Sequence, residues 1–418
     1  MSGMNYPKDF FYVNKILQRV TGFWLPGKEI HLILRVLFYL YITLAYSVSI
    51  FFFICEIIIV SETVKDLNKF VRQFGMLFTH VVGILKFYIL VFRRKSLQKI
   101  MDMLQDKDYV YEPQGTFQPG LMLSKAKRLT SFVSVMVFIL YNFVGMSAQI
   151  SSTITLNEVV KDDHLPGNLT CYDFLPYYFY IPFNAVTKFQ CHVAFTFMNV
   201  SLDVFAWIIG THDGFFVTLM NCLKTQLEIV QCAFRTIRER CEKRLDLPEN
   251  YKIFVDESNP TLEKTLYDEL THCTKHLNIL LQVRDDIENV FTYVTLAQTL
   301  ASLIIFASCL YVASTVSMTS PEFFAQVEYF LCVLVQLSVI CFFGNEITTA
   351  SAQTGVSLYE CDWFSSSLRF KRSMILTMSR IQRPVYVSIG KFSPLTLATL
   401  VAVCRGSFSY FTLFKSVQ

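Results

Sequence analysis

The chain has 418 residues, of which 53% are hydrophobic and only 17% charged, and its formal net charge is +4. Soluble domains carry about 25% charged residues, so this composition argues against a soluble enzyme or binding protein. The basic residues are spread among the loops, which argues against nucleic acid as a partner. The 12 cysteines include no Cys-x-x-Cys pair, and we predict reduced, buried thiols. His272, Cys273 and His276 lack further ligands at zinc-like spacing, so no metal is expected.

Seven apolar segments are long enough to cross a membrane, which takes about 20 residues. In chain order they are residues 36–60, 71–92, 129–156, 174–209, 290–319, 323–343 and 384–414. The third and fifth contain no charged residue, whereas the others carry isolated ones such as Glu56, Lys86 and Lys188. Residues 1–30 lack the apolar core of a cleavable signal peptide. The pattern predicts an all-α membrane protein in which residues 1–418 form a single seven-helix domain.

The orientation follows from the basic residues of the loops, because Lys and Arg accumulate on the cytoplasmic side. Of the 37 Lys and Arg residues, 28 fall in loops on one side and 5 in loops on the other. This split predicts a cytoplasmic amino terminus and an extracellular carboxyl terminus. The sequence Asn168-Leu169-Thr170 is an acceptor for N-linked glycans and lies in a loop assigned to the outside, so Asn168 is a candidate glycosylation site.

The two long cytoplasmic segments, residues 211–289 and 351–383, are predicted to be helical and to form an anchor below the membrane. Residues 219–245 continue the fourth span without a helix breaker, and residues 262–290 lead into the fifth. Leucines recur in the latter at close to helical period: Leu262, Leu266, Leu270, Leu277, Leu280 and Leu281. Residues 359–380 add an amphipathic segment. These helices are expected to bury their apolar faces against one another or against another subunit.

Three stretches of the last hundred residues are distinctive: Tyr359-Glu360-Cys361-Asp362-Trp363, Arg383-Pro384 and Ser407-Phe408-Ser409-Tyr410-Phe411-Thr412-Leu413. Through these stretches the chain resembles the insect odorant receptor family. The cytoplasmic amino terminus agrees with this family and is the reverse of that in a G-protein-coupled receptor. The related gustatory receptors have a different closing signature in the last helix, which this chain lacks.

The resemblance implies a subunit of a heterotetrameric, odorant-gated, non-selective cation channel in the plasma membrane of a sensory dendrite. Its ligand would be a small, volatile, apolar molecule, and its partners membrane lipid and a common odorant co-receptor. The chain is similar to a tuning subunit, because it is shorter than the co-receptor and lacks its long cytoplasmic insertion. Tyr359 and Trp363 are the candidate anchor residues for assembly. No cofactor is implied.

The resemblance also assigns the pore to the last helix. Leu413 and Val417 lie four residues apart, hence on one helical face, and align with the hydrophobic gate of the family. Ser416 falls where the co-receptor presents a polar group to the pore. Lys391 and Arg405 are costly in lipid, and we expect them near the vestibule or the anchor.

The resemblance also places the odorant pocket in the outer half of the bundle, between the second, third, fourth and sixth spans. A small apolar ligand calls for an apolar, aromatic cavity with few polar groups. The candidate lining residues are Met76, Thr79, His80, Gly83, Tyr141, Gly145, Gln149, Tyr180, Phe183, Thr187, Val327 and Phe330. Ordinary packing between helices is the alternative for each of them.

Three alternative functions remain at this stage. A membrane enzyme would show clustered His, Asp or Glu in its spans, whereas the polar residues here are interpreted as scattered, and His212-Asp213 has no partner motif. No catalytic residue is therefore assigned. A secondary transporter would show internal repeats, and none is visible. A metabotropic seven-helix chemoreceptor would have an extracellular amino terminus, which is the reverse of the orientation predicted from the Lys and Arg residues of the loops.

Overall fold

The computed structural model describes residues 6–24, 31–161, 165, 169–248, 253–383 and 385–416. These residues form eleven α-helices: α1 (Tyr12–Val20), α2 (Leu32–Thr63), α3 (Leu67–Phe92), α4 (Arg94–Leu104), α5 (Pro119–Val159), α6 (Lys188–Arg235), α7 (Ile237–Arg244), α8 (Pro260–Thr315), α9 (Pro321–Tyr359), α10 (Leu368–Arg380) and α11 (Leu397–Ser416). The strands β1 (Ser388–Ile389) and β2 (Ser393–Pro394) pair as an antiparallel hairpin. Seven of the described helices, α2, α3, α5, α6, α8, α9 and α11, are long and apolar enough to span a membrane. The predicted all-α, seven-helix fold is confirmed.

Side-chain caps fix where several of the long helices begin. Asp66 accepts hydrogen bonds from two backbone amides at the start of α3, and Asn259 accepts one at the start of α8. Ser320 does the same for α9, and Thr187 forms a capping box with Gln190 at the start of α6. Each cap satisfies an amide that has no partner within its helix, so the helix starts are encoded locally.

The helix α6 lies at the centre of the bundle, in contact with α2, α3, α5, α8 and α9. Its 48 residues and the 56 residues of α8 correspond to about 70 and 85 Å at 1.5 Å per residue. The hydrocarbon core of a bilayer is only about 30 Å thick, so both helices extend beyond it. In the extension of α8 the residues Leu262, Leu266, Leu270, Leu277 and Leu280 are buried, consistent with the anchor predicted from their period.

Two of the long helices begin later than their apolar segments suggest. Residues 175–186 are not helical, since Pro176 and Pro182 interrupt a helix there, and α6 begins at Lys188. Residues 385–396 contain the hairpin instead of the start of α11. Its turn has positive φ at Gly390 (57°) and Lys391 (64°), a conformation incompatible with a continuing right-handed helix. Lys391 therefore lies in a turn, outside the last helix.

One pair of cysteines departs from the predicted reduced state. Cys171 and Cys191 form a disulfide with a Cα–Cα distance of 5.6 Å, while the other ten cysteines are free thiols. The prediction of reduced thiols was thus wrong for this pair. The two residues are separated by 20 positions, and only the folding of the segment before α6 back onto its first turn brings them together.

Candidate functional site

A cavity of about 350 Å³ opens at the end of the bundle that carries the α5–α6 and α8–α9 connections. Residues from α3, α5, α6 and α9 form its walls, and residues 173–177 form its roof. These are the second, third, fourth and sixth spans, between which the pocket was expected. The volume lies within the range of cavities that hold small organic molecules.

The roof is held in place by covalent and polar contacts. The disulfide Cys171–Cys191 ties the chain just before the roof to the first turn of α6. Asp173 accepts a hydrogen bond from the backbone amide of Thr170, at 2.7 Å. Further along, the amide of Tyr180 donates to the carbonyl oxygen of Cys55 in α2, at 3.0 Å. The non-helical segment before α6 is therefore a fixed cover over the cavity.

Small side chains along α5 make room for the cavity. Its lining residues on this helix follow a helical stripe: Tyr141, Val144, Gly145, Ser147, Ala148, Ser151, Ser152 and Thr155. A Cβ added at Gly145 would come within 3.3 Å of Asp203 Oδ1 in α6, so a larger residue there would crowd that carboxylate. The Ser147 hydroxyl donates to Glu328 Oε2 of α9 at 2.8 Å, joining two walls.

The α3 wall contains a buried pair of a histidine and a glutamate. His80 lines the cavity, and its Nδ1 lies 2.6 Å from Glu56 Oε2 of α2. The imidazole also stacks on Phe205 of α6, with ring centroids 4.2 Å apart. The backbone carbonyl of Glu56 accepts a hydrogen bond from Gln73 at 2.7 Å. A carboxylate inside a membrane-spanning helix is costly unless it is paired, and His80 supplies the partner.

The floor of the cavity rests on a buried ion pair. Lys86 Nζ of α3 lies 2.7 Å from Asp213 Oδ1 of α6. Two lining residues bond to the same carboxylate: Gln336 donates to Asp213 Oδ2 at 2.6 Å, and Tyr141 at 3.4 Å. His212 Nδ1 lies 3.0 Å from Asp213 Oδ1. His80 and Lys86 thus each meet a buried carboxylate, and the interpretation of the intramembrane polar residues as scattered was wrong for these two. The sequence could not show this because the partners belong to different helices.

The structure brings five of the predicted pocket residues together at the cavity: Met76, Thr79, His80, Tyr141 and Gly145. The other seven lie outside its lining: Gly83, Gln149, Tyr180, Phe183, Thr187, Val327 and Phe330. Gly83 faces Phe205 within the packed bundle, and Thr187 caps α6. Gln149 lies eight residues after Tyr141, a spacing that rotates it by about 80° around the helix relative to Tyr141. It therefore falls outside the stripe. On α9 the lining falls on the face of Glu328, Tyr329 and Cys332.

Sequence reasoning missed the roof and most of the polar lining. The signal for α5 was present, because Ser147, Ser151 and Thr155 recur at helical spacing in a segment without charges. Glu328 was also visible as the lone charge in residues 323–343. The roof also had a signal, because Pro176 and Pro182 break a helix in the segment before α6, but the apolar composition of that segment was interpreted as the start of the helix.

The last helix packs through one face and leaves the other uncovered. Val403 and Ser407 are buried, and Phe411 and Phe414 pack on Tyr311 of α8 and its neighbours. On the opposite face a row of polar residues is exposed: Arg405, Ser409, Thr412 and Ser416. Leu413 borders this row and is 54% exposed. Val417 lies outside the described residues, as does Asn168.

The predicted assembly residues lie at the end of α9, where Tyr359 is the last residue, and in the turn that follows, which contains Trp363. Tyr359 is exposed, and its carbonyl oxygen accepts a hydrogen bond from the indole N–H of Trp363 at 3.1 Å. The indole stacks on Phe364 with centroids 4.4 Å apart, and Phe364 is 75% exposed.

In α8, Glu269 approaches His272 and Cys273. Its carboxylate pairs with Arg240 and Arg244, and their positive charge opposes the binding of a metal ion there.

Comparisons with known proteins agree on one family. The sequence model of the 7tm Odorant receptor family matches residues 66–408. Odorant receptor 2a of Drosophila melanogaster is 30% identical over 152 residues, which is 35% of this chain and 38% of that protein. Odorant receptor Or2 of Anopheles gambiae is 26% identical over 37% of this chain and 40% of its own length. These two matches thus span about two fifths of each relative. Odorant receptor 82a of Drosophila melanogaster is 20% identical over 85% of this chain and 86% of its own length.

A solved structure shares the fold. The insect olfactory receptor OR5 from Machilis hrabei in complex with eugenol superposes with a TM-score of 0.74, covering 98% of this chain and 100% of that one. The sequences are 13% identical, so the similarity concerns the fold alone.

Proposed function

The chain belongs to the 7tm odorant receptor family, and on that premise we propose that it is the odorant-binding subunit of an odorant-gated, non-selective cation channel. The observation that carries the proposal is the cavity of about 350 Å³ between α3, α5, α6 and α9. Apolar side chains such as Met76, Leu202 and Ile209 form much of its wall. A small, volatile, apolar molecule would bind there by burying its surface against them.

The proposed subunit is of the tuning type and assembles with the odorant co-receptor as a heterotetramer. The connection between α6 and α8 supports this assignment, because it holds only the short helix α7 and residues 245–259. No long cytoplasmic insertion of the co-receptor kind occurs there. Tyr359 and Trp363, together with the exposed Phe364, are proposed to contact a neighbouring subunit, since aromatic side chains of this size are costly to leave in water.

The proposed pore is lined by α11. The exposed row of Arg405, Ser409, Thr412 and Ser416 would be unfavourable against lipid, but it suits a helix whose free face meets water or another subunit. The hydroxyls of Ser409, Thr412 and Ser416 bond to carbonyl oxygens of their own helix and can still accept a hydrogen bond from pore water. Leu413 and Val417 are proposed as the gate, and Ser416 as a polar lining group.

The proposed orientation in the plasma membrane has a cytoplasmic amino terminus and an extracellular carboxyl terminus. Two observations support it: the distribution of loop charges, and the disulfide Cys171–Cys191 on the side proposed as external. Disulfides persist in oxidising compartments and are rare in the cytosol. Asn168 would then be accessible to glycosylation.

This orientation is tested by labelling epitope tags on intact cells. A tag after Gln418 should be labelled without permeabilisation, whereas a tag before Met1 should be labelled only after it. The control is a tag on a plasma-membrane protein of known orientation in the same cells. Labelling of the amino-terminal tag alone on intact cells would contradict both the topology and the channel proposal.

The channel proposal is tested by whole-cell current recording over an odorant panel. Cells that express this chain together with the co-receptor should show odorant-evoked cation currents, and cells that express the co-receptor alone should not respond to the same odorants. The currents should persist when G-protein signalling is blocked with a non-hydrolysable GDP analogue in the pipette. Currents abolished by that block would instead favour a metabotropic receptor.

A further inference from the structure

The polar groups of the cavity are unevenly matched, because most of its hydrogen-bond donors are already used. Tyr141 and Gln336 both donate to Asp213 below the floor, and Ser147 donates to Glu328. At the mouth, the Arg72 guanidinium donates to Glu322 at 2.8 Å. These donors would have to leave a protein acceptor in order to bind a ligand.

Acceptor oxygens, in contrast, remain unused around the cavity. Glu328 lines it and uses only Oε2, while its buried Oε1 has no hydrogen-bond partner among the described residues. Behind the wall, Asp203 Oδ1 is likewise buried without a partner and lies next to Gly145. In the roof, Tyr177 is 5% exposed and its hydroxyl oxygen also has no partner. This hydroxyl can donate as well as accept a hydrogen bond, and it is a second polar group without a partner in the wall of the cavity.

The charged groups of the cavity likewise include more acceptors than donors. The carboxylates of Asp173, Glu322 and Glu328 line the cavity, against one guanidinium, Arg72, which is paired with Glu322. His80 is held by Glu56. Among the described residues, no Lys, Arg or His forms an ion pair with Glu328. A buried carboxylate oxygen without a donor is costly, and the cost is removed when a donor arrives.

We propose that the cavity selects ligands whose polar group donates a hydrogen bond, a hydroxyl or an ammonium on an apolar skeleton, and that Glu328 is the acceptor. The apolar part of the ligand lies against side chains such as Phe205 and Ile209. A ligand that carries only acceptors, such as an ether or an ester, would place its oxygen against the lone pairs of Glu328 and leave that carboxylate unsatisfied. This inference rests on the proposed function, because it assigns the ligand class of the same cavity.

The test compares molecules of equal size that differ in their donor. The first set is octanol, octylamine and heptyl methyl ether, and the second is phenethyl alcohol, phenethylamine and benzyl methyl ether. The first readout is thermal stabilisation of the detergent-purified chain, since a ligand that binds only the folded state raises its melting temperature. The second readout is the dose–response of currents in cells that also express the co-receptor. The alcohol or the amine of at least one set should act at concentrations about tenfold lower than the matched ether.

Glu328→Gln is the decisive variant. The amide keeps the shape of the side chain but loses its charge and can itself donate, so the preference for a donor should fall to about twofold or less. If the natural ligand is an amine, the variant should weaken amine binding more than alcohol binding, whereas for an alcohol the two losses should be similar. Ser147→Ala removes a donor from Glu328 and should keep or increase the preference. Glu346→Gln, on α9 at a distance from the cavity, is the matched control and should change neither readout.

The outcomes separate this inference from the proposed function. Ethers that stabilise the purified chain as well as the alcohols and amines do would overturn the inference, as would a donor preference that survives in Glu328→Gln. Failure of both sets to stabilise the chain would also overturn it. Donor-selective stabilisation without any evoked current would keep the inference and overturn the channel proposal. Currents that the ethers evoke at the same concentrations as the alcohols and amines would keep the channel proposal and overturn the inference.

Discussion

Replacing Asp213 with asparagine should remove most of the protein from the cell surface. The carboxylate is the counter-ion of Lys86 in the middle of the bundle, where the two side chains are only 3% and 1% exposed. Breaking a buried ion pair by removing one partner costs about 3–5 kcal/mol, a large part of the roughly 5–15 kcal/mol that keeps a folded domain stable. The substitution also weakens the hydrogen bonds that position Gln336 and Tyr141 in the floor of the cavity.

The measurement is surface biotinylation combined with the melting temperature of the detergent-extracted protein. The double substitution Lys86→Gln/Asp213→Asn should recover part of the signal, because two neutral amides can bond to each other without a stranded charge. Asp286→Asn is the matched control, since its partner Lys99 is 55% exposed and exposed pairs contribute about 0–1 kcal/mol. Equal surface levels for Asp213→Asn and the unmodified chain would show that the pair does not hold the bundle together.

Replacing Leu413 with serine should raise the resting current several-fold. In the proposed channel this leucine meets its counterparts at the pore axis and keeps the constriction dry, because water there loses hydrogen bonds that it cannot replace. A serine makes wetting easier. The effect should be partial, since the co-receptor subunits of the same ring keep their own apolar residues. Ser416→Ala should instead shift the reversal potential, because it removes a polar oxygen near the passing ion.

The measurement is resting conductance and reversal potential with the co-receptor present. Leu331→Ser is the matched control, because Leu331 is an exposed leucine of α9 outside both α11 and the cavity, and it should leave the resting current unchanged. If Leu413→Ser and Ser416→Ala both behave as the unmodified channel while Gln149→Ala changes permeation, the pore has been assigned to the wrong helix.

The cavity shows how far the sequence could be used to predict a site. The four helices around it were predicted, and Met76, Thr79, His80, Tyr141 and Gly145 were among the candidates that line it. Gln149 follows Tyr141 and Gly145 by steps of four residues. Small errors in rotation accumulate along a helix at about 40° per step, so Gln149 was assigned to the lining although it lies beside the stripe. The roof was missed because its segment is as apolar as the helix that follows it, and the two helix-breaking prolines, Pro176 and Pro182, were given no weight.

The sequence was sufficient to predict seven membrane-spanning helices with long helical extensions, and it indicated the family through motifs such as residues 407–413. These features are local: apolar length, helical period and short motifs are properties of consecutive residues. The tertiary structure alone decided that Lys86 meets Asp213, 127 positions away, that Glu56 meets His80, and that Cys171 pairs with Cys191. Such contacts depend on the rotation and axial offset of one helix relative to another, and packing of the whole bundle sets both. A charge in an apolar segment therefore predicts that a partner exists, and only the packed bundle identifies which residue it is.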